Sequence, residues 1–208
     1  MARILITSGP TRQYLDPVRY LSNASSGRMG RALAAAAIEA GHQVTVVSGP
    51  VDLSYPAAAA VIQVVSTEDM LSAAMQVFPT CDGLIAVAAP CDYRPVQTAK
   101  SKLSKTGRPL HVELVETPDI VAMLGALKES QWMVAFALET EDQRLRAMQK
   151  LEKKNCDLIV LNGPGAINSH ETRVEVLDRG GETAASFAGP KDEVARGIFQ
   201  LISQRLMK

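Results

Sequence analysis

Six short apolar runs recur along the chain, at residues 4–7, 43–47, 61–65, 83–88, 132–137 and 157–161. Most are continuous rather than alternating, the pattern of strands covered on both faces. Between them, residues 30–40, 67–77, 118–127 and 141–154 space their apolar positions for helices, with Thr67 read as an N-cap and Pro118 as a first-turn proline. Strands that alternate with helices predict an α/β fold: a Rossmann-like doubly wound, mainly parallel sheet with right-handed crossovers. Two segments break the alternation. KLSKTGRPLHVELVE (102–116) and TRVEVLDRGGETAASFAG (172–189) alternate around glycines and read as hairpins, the second with Gly180 and Gly181 at its tip. A last helix at 191–206 covers one face. With no repeat or linker, residues 1–208 read as one domain with an inserted arm at about 100–116.

Composition narrows the partners. Lys plus Arg and Asp plus Glu number 22 each, so the overall charge gives no basis for binding nucleic acid or an anionic membrane. Any anionic ligand must be held by a local cluster. Cys81, Cys91 and Cys156 are widely spaced and form no CxxC, which fits a reducing compartment and argues against a disulfide framework or a zinc site. The N-terminus goes straight into a strand without signal-like features, and no apolar run nears the length of a membrane span. A soluble cytoplasmic protein is expected.

In open parallel sheets, ligands bind beyond the carboxyl ends of the strands. There the chain carries SGPTRQYLDPVRYLSNASSGRMG (8–30), in which Ser25, Ser26 and Gly27 lie just before the first long helix. Free amides at a helix start suit phosphate; plain capping by SSG is the alternative. The run is no dinucleotide fingerprint: GxGxxG is missing, and the second strand ends in Ser48, Gly49 and Pro50 rather than in an acid for a ribose diol. After the fourth strand, AVAAPCDYRP places Asp92 and Arg94 at the sheet edge, and Lys100, Lys102 and Lys105 follow. After the fifth, FALET precedes a helix with Lys150, Lys153 and Lys154. Lys150 and Lys154 share one helical face and repel unless solvent or an anion lies between them. Each cluster alone reads as a solvated face, but three converging on one edge favour a nucleoside triphosphate.

DPVRYLSNASSGRMG, VTVVSGPV, AAPCDYRP, KLSK, TPDIV, FALET and the Lys150/Lys154 pair occur in this order over about residues 3–162. Together they resemble the phosphopantothenoylcysteine synthetase family, the phosphopantothenate–cysteine ligases of coenzyme A biosynthesis. The resemblance implies the second step from pantothenate: CTP, or ATP, activates 4′-phosphopantothenate as an acyl-nucleotidylate with release of pyrophosphate, and the amine of L-cysteine then forms the amide. It implies that Asn23 closes over the acyl intermediate, that Arg19 orders the loop, and that Arg19, Asn23, Ala88 and Ala89 meet phosphopantothenate. Lys102 matches the first lysine of a KxKK motif acting on the triphosphate and the second half-reaction, so Asn23 and Lys102 are the expected catalytic residues. The nucleotide would be held by Ser25, Ser26, Gly27, Ala86, Val87, Ala88, Asp92 and Lys102, with Pro118, Asp119, Ile120, Val121, Phe136, Lys150 and Lys154.

Magnesium, or manganese in its place, would travel on the triphosphate oxygens, with no metal cage from the protein and no flavin in this chain. The chain is similar to the free-standing form, which would work beside a separate flavin-dependent decarboxylase. The arm takes part in dimerisation in the family, so a homodimer that completes its sites across the interface is expected. Ser104 stands where the motif has lysine, and Pro90 and Cys91 stand where small aliphatic residues are usual, which leaves the choice between CTP and ATP open. Cys91 is read as lining, since the reaction needs no thiol nucleophile. A non-catalytic nucleotide-binding relative and an NAD-dependent Rossmann oxidoreductase are the competing readings.

Overall fold

The structure, a computed structural model, describes residues 1–138, 141–162 and 171–207. β1 (Arg3–Ser8) leads into a small ribbon, β2 (Arg12–Tyr14) and β3 (Tyr20–Ser22), and then into α1 (Arg28–Glu39). β4 (Gln43–Ser48), β5 (Ala60–Gln63), α2 (Thr67–Val77) and β6 (Gly83–Ala86) follow. Next come β7 (Tyr93–Pro95), β8 (Leu114–Glu116), α3 (Ile120–Ala126), β9 (Trp132–Leu138) and α4 (Gln143–Lys153). β10 (Leu158–Asn162), β11 (Glu171–Asp178), β12 (Thr183–Pro190) and α5 (Lys191–Leu206) complete the described chain.

The main sheet has the order β12-β11-β10-β9-β6-β1-β4-β5. All pairings from β5 to β10 are parallel, and β11 and β12 add an antiparallel edge. The continuous apolar strands are buried on both faces except β5, which ends the sheet at one edge and is exposed at all four residues. Ile4 and Ile6 of β1 pack with Leu33 and Ala37 of α1 and Ile198 and Ile202 of α5. Leu5, between them, faces the opposite core with Met70 of α2, Leu124 of α3 and Leu151 of α4. Each such side chain contributes about 1.5–3 kcal/mol on burial, so two layers of helices on one sheet follow from the strand pattern. The strand order reverses at β1 and β6, which opens a crevice at their carboxyl ends.

Several expected details shift. Ser66, not Thr67, caps α2: its hydroxyl accepts from the Asp69 N–H at 3.0 Å and the Asp69 carboxylate accepts from the Ser66 N–H at 2.9 Å. Thr67 instead buries its hydroxyl 2.8 Å from that of Thr11. Asp119 caps α3, leaving Pro118 ahead of the helix rather than in its first turn. β6 stops at Ala86, although the Val87 N–H still donates to the Thr7 carbonyl at 3.1 Å and Ala89 bridges to Pro10. The arm is not a hairpin within 102–116: β8 pairs with β7, and residues 101–113 between them hold no helix or strand. Glu139 and Thr140 of FALET lie outside the described residues.

Among the described residues, no helix is long and apolar enough to cross a membrane. The three cysteines are free and buried, and burial pushes all three thiols up, that of Cys156 to about 12. Native protein at about pH 8 therefore takes up iodoacetamide far more slowly at all three than unfolded protein does. Mass spectrometry of native and denatured samples measures this; rapid labelling of Cys156 in the native state would contradict its burial.

Candidate functional site

A cavity of about 880 Å³ occupies the crevice at the carboxyl ends of β6 and β9, between the starts of α1, α3 and α5 and the end of α4. One of its walls is the start of α1. Gly27 is the N-cap in the left-handed region, at φ 72°, and no side chain caps the helix there. A side chain at this position would be strained, and its Cβ would also lie 2.9 Å from Val51 Cγ1. Ser25 and Ser26 line the cavity but do not cap the helix, so the first-turn amides are left for a ligand. Beneath them, the Tyr55 hydroxyl donates to Ser8 Oγ at 2.8 Å and lies 2.9 Å from Ser48 Oγ. Ser8 Oγ in turn donates to the Gly27 carbonyl at 3.4 Å. Ser8 and Ser48 face each other in register, and each is followed by Gly-Pro.

Asn23 emerges from the β2–β3 ribbon onto the cavity wall, where Nδ2 donates to the carbonyls of Pro90 at 2.8 Å and Ala89 at 3.3 Å. The ribbon is held from below by a buried polar knot. Thr11 Oγ1 accepts from the Cys91 N–H at 2.8 Å, and Cys91 Sγ donates to the Thr11 and Leu21 carbonyls at 3.3 and 3.4 Å. Cys91 thus joins the Asn23 ribbon to the cavity wall, as a lining residue without solvent access.

Arg19 is placed elsewhere. Its guanidinium pairs with Asp16 at 2.6 Å and donates to the Leu103 carbonyl, while Asp16 accepts from the N–H groups of Val18, Arg19 and Leu103. Burial alone would raise the Asp16 carboxyl; these four donors hold it well below the usual carboxylate range. Arg19 therefore ties the first loop to the root of the arm, outside the cavity lining. Lys102, the neighbour of Leu103, is exposed and also outside it, as are Lys100 and Lys105. Arg94 pairs with Glu68 at 3.0 Å. Of the three expected basic clusters, only that of α4 lines this cavity.

The remaining residues do converge. Ala86, Val87, Ala88, Ala89 and Asp92 form one wall, Pro118, Asp119, Ile120 and Val121 the next, and Phe136, Lys150, Lys153 and Lys154 a third. Lys154 pairs with Asp119 at 3.1 Å, which joins the end of α4 to the start of α3. Arg28, Asn162, Thr172 and Lys191 also line the cavity and were not expected from the sequence. A basic residue at the first position of a helix, as at Arg28 and Lys191, is the signal that could have found two of them. Among the described residues there is no group of three or more metal-ligating side chains.

Residues 1–206 match the family described as the DNA/pantothenate metabolism flavoprotein C-terminal domain. The chain is 42% identical over 212 residues to the coenzyme A biosynthesis bifunctional protein CoaBC of Vibrio cholerae, covering 98% of this chain and 53% of that protein. It is also 42% identical over 206 residues to a cysteine/cysteine sulfinic acid decarboxylase of an unknown prokaryotic organism, covering 96% of this chain and 57% of the relative. The chain thus spans about half the length of the curated relatives it matches. Among solved structures, the crystallised C-terminal domain of a CoaBC protein superimposes with a TM-score of 0.82 at 38% identity, over 99% of this chain and 95% of that one. With a doubly wound sheet, a cavity at its switch point and a match running almost the whole length, the chain belongs to the DNA/pantothenate metabolism flavoprotein C-terminal domain family.

Proposed function

We propose that this protein joins 4′-phosphopantothenate to L-cysteine, using CTP, through an acyl-cytidylate. One observation carries the reading: a single cavity holds Asn23, the uncapped start of α1 and the Lys150/Lys154 face, and its described lining includes no histidine to activate a hydroxyl or thiol as a nucleophile. A carboxylate attacking an anionic α-phosphate needs positive charge and fixed donors rather than covalent catalysis. Carboxylate oxygen bonds to the α-phosphorus, and the bond to the bridging oxygen breaks with its electron pair leaving on pyrophosphate. The cysteine amine then adds to the acyl carbon, loses a proton and expels CMP. Ser25, Ser26 and the α1 amides bind phosphate oxygens, the α4 lysines balance their charge, and Ala86 to Ala88, Pro118 to Val121 and Phe136 enclose base and ribose. Asn23 donates to the acyl group.

Magnesium suits this donor set. The carboxylates lining the cavity are Asp92, Glu116 and Asp119 among the described residues, and Asp119 is already paired with Lys154. That fits a hard cation held mainly by phosphate oxygens and water, where it supplies charge neutralisation.

The assay is direct: protein, 4′-phosphopantothenate, cysteine, magnesium and either CTP or ATP, with pyrophosphate and the amide product measured. Release with CTP above ATP is the expected result; no release with either overturns the reading. An oxidoreductase is disfavoured, because β4 ends in Ser48 and continues into Gly49 and Pro50, with no acid for a ribose diol.

The proposal extends to a homodimer built through the arm. Tyr93, Val96, Leu110, Val112, Leu114 and Val115 are all exposed on it. Arg19 and Lys102 stand at its root, away from their own cavity, which supports their serving the cavity of a second copy. Leu114→Glu is expected to halve the mass measured by light scattering and to abolish turnover. An active monomer would overturn this arrangement.

A further inference from the structure

We propose that Lys191 and the Thr172 hydroxyl form a pyrophosphate subsite at the α1/α5 end of the cavity, which receives the departing diphosphate. The inference rests on the ligase reading above for its role in turnover.

α1 and α5 pack side by side on one face of the sheet. Both begin at its carboxyl edge, where Arg28 and Lys191 line the same cavity. Neither helix start is capped by a side chain. The register of the edge hairpin pairs Thr172 with Gly189 and Glu171 with Pro190, so α5 begins two residues past the partner of Thr172, and both Thr172 and Lys191 line the cavity. Thr172 is only 6% exposed, and its hydroxyl is buried with no hydrogen-bond partner among the described residues. Asn162 Oδ1, on the same wall, is likewise buried and unpartnered. A buried hydroxyl of this kind retains the cost of its lost water until a ligand oxygen accepts from it.

Charge is divided along the cavity. Its carboxylates, Asp92, Glu116 and Asp119 among the described residues, lie on the β6 and α3 side. In the first turn of α5, Asp192 is turned toward Arg31 at 4.0 Å and lines a separate small cavity. Among the described lining residues, the α1/α5 end carries the charges of Arg28 and Lys191, while Glu171 and Glu193 stand close by outside the lining. Burial and the nearby Arg28 cation pull the Lys191 ammonium below its ordinary range, and the negative charge of a bound polyanion counters both effects. Three strand spacings, roughly 14 Å, separate β6 from β11, enough for an extended nucleotide whose distal phosphates point to Thr172. Asn23, tied to the β6 side through Ala89 and Pro90, stands at the other end. In-line displacement at the α-phosphorus places acyl and leaving groups on opposite sides in this way.

Calorimetry of the full chain with inorganic pyrophosphate and magnesium tests the subsite. Lys191→Met is expected to weaken pyrophosphate binding about tenfold and Thr172→Val several-fold, with Lys191→Arg within about threefold of wild type. CMP, which lacks the departing phosphates, is expected to bind each variant within about twofold of wild type. Melting curves verify that the variants fold; if one does not, the other carries the test. Unchanged pyrophosphate affinity in both, equal losses for CMP and pyrophosphate, or no pyrophosphate binding by wild type would overturn the proposal. Lys191-dependent pyrophosphate binding in a protein that condenses nothing with any nucleotide would uphold the subsite and sink the ligase reading alone.

Discussion

Asn23→Ala is expected to lower turnover by roughly a hundred- to a thousandfold while leaving the melting temperature nearly unchanged. Asn23 is exposed, and its side chain contributes two hydrogen bonds to carbonyls at the cavity mouth, where water can replace it. Little folding energy rides on it. In the proposed reaction, the same amide supplies a fixed donor to the acyl group, and the ground state gains less from that donor than the transition state does. The loss should then fall on kcat and kcat/KM together rather than on KM.

Lys102→Gln is its natural companion, and mixing the two inactive proteins makes the prediction sharper. If each cavity takes Asn23 from one copy and Lys102 from the other, every hybrid dimer carries one intact site and one doubly defective site. Random re-pairing then restores about a quarter of wild-type activity. If Lys102 served its own cavity, no hybrid site would be whole, and the mixture would stay inactive. The position of Lys102 outside its own cavity favours restoration. Near-wild-type turnover in both single variants would remove these residues from the chemistry.

The sequence was legible where local chemistry alone determines the structure. Continuous apolar runs such as RILITS and GLIA are buried on both faces because parallel strands between two helical layers have no wet side. The start of α1 could be read from SSG, because a glycine followed by good helix formers specifies both the turn and the helix. What failed depended on residues far apart in sequence. Thr67 has the chemistry of a cap, but Thr11, from the first loop, takes its hydroxyl, and Ser66 caps the helix instead. The alternation in VELVE was real, yet its partner is Tyr93–Pro95 and not the KLSK segment across Gly107. Thr172 and Lys191 could not be joined from sequence: an antiparallel register and the packing of α5 on α1 bring them to one wall. Arg19 was visible as a loop cation, but the structure gives its charge to Asp16, which converts it into a fastening for the arm.

Gly49→Ala is expected to destabilise the protein by about 3 kcal/mol or more, lowering the melting temperature by roughly 6–12 °C. The twin Ser-Gly-Pro segments at the ends of β1 and β4 explain why so small a change should matter. Ser8 and Ser48 are register partners, and the Gly49 N–H donates to the Ser8 carbonyl at 3.0 Å. The two turns then cross backbone to backbone, so that a Cβ on Gly49 would overlap the Pro10 carbonyl. No rotamer can relieve this, because the obstacle is main chain. Pro10 would have to move, and Pro10 forms the bridge to Ala89, the residue whose carbonyl accepts from Asn23. The strain therefore passes from the second strand, through the first loop, to the cavity wall. Differential scanning calorimetry reads the stability loss, and nucleotide affinity of the folded fraction is expected to weaken with it. A Gly49→Ala protein that melts with wild type would show that the crossing of the two turns can open at no cost, and would remove the close approach as the reason for glycine there.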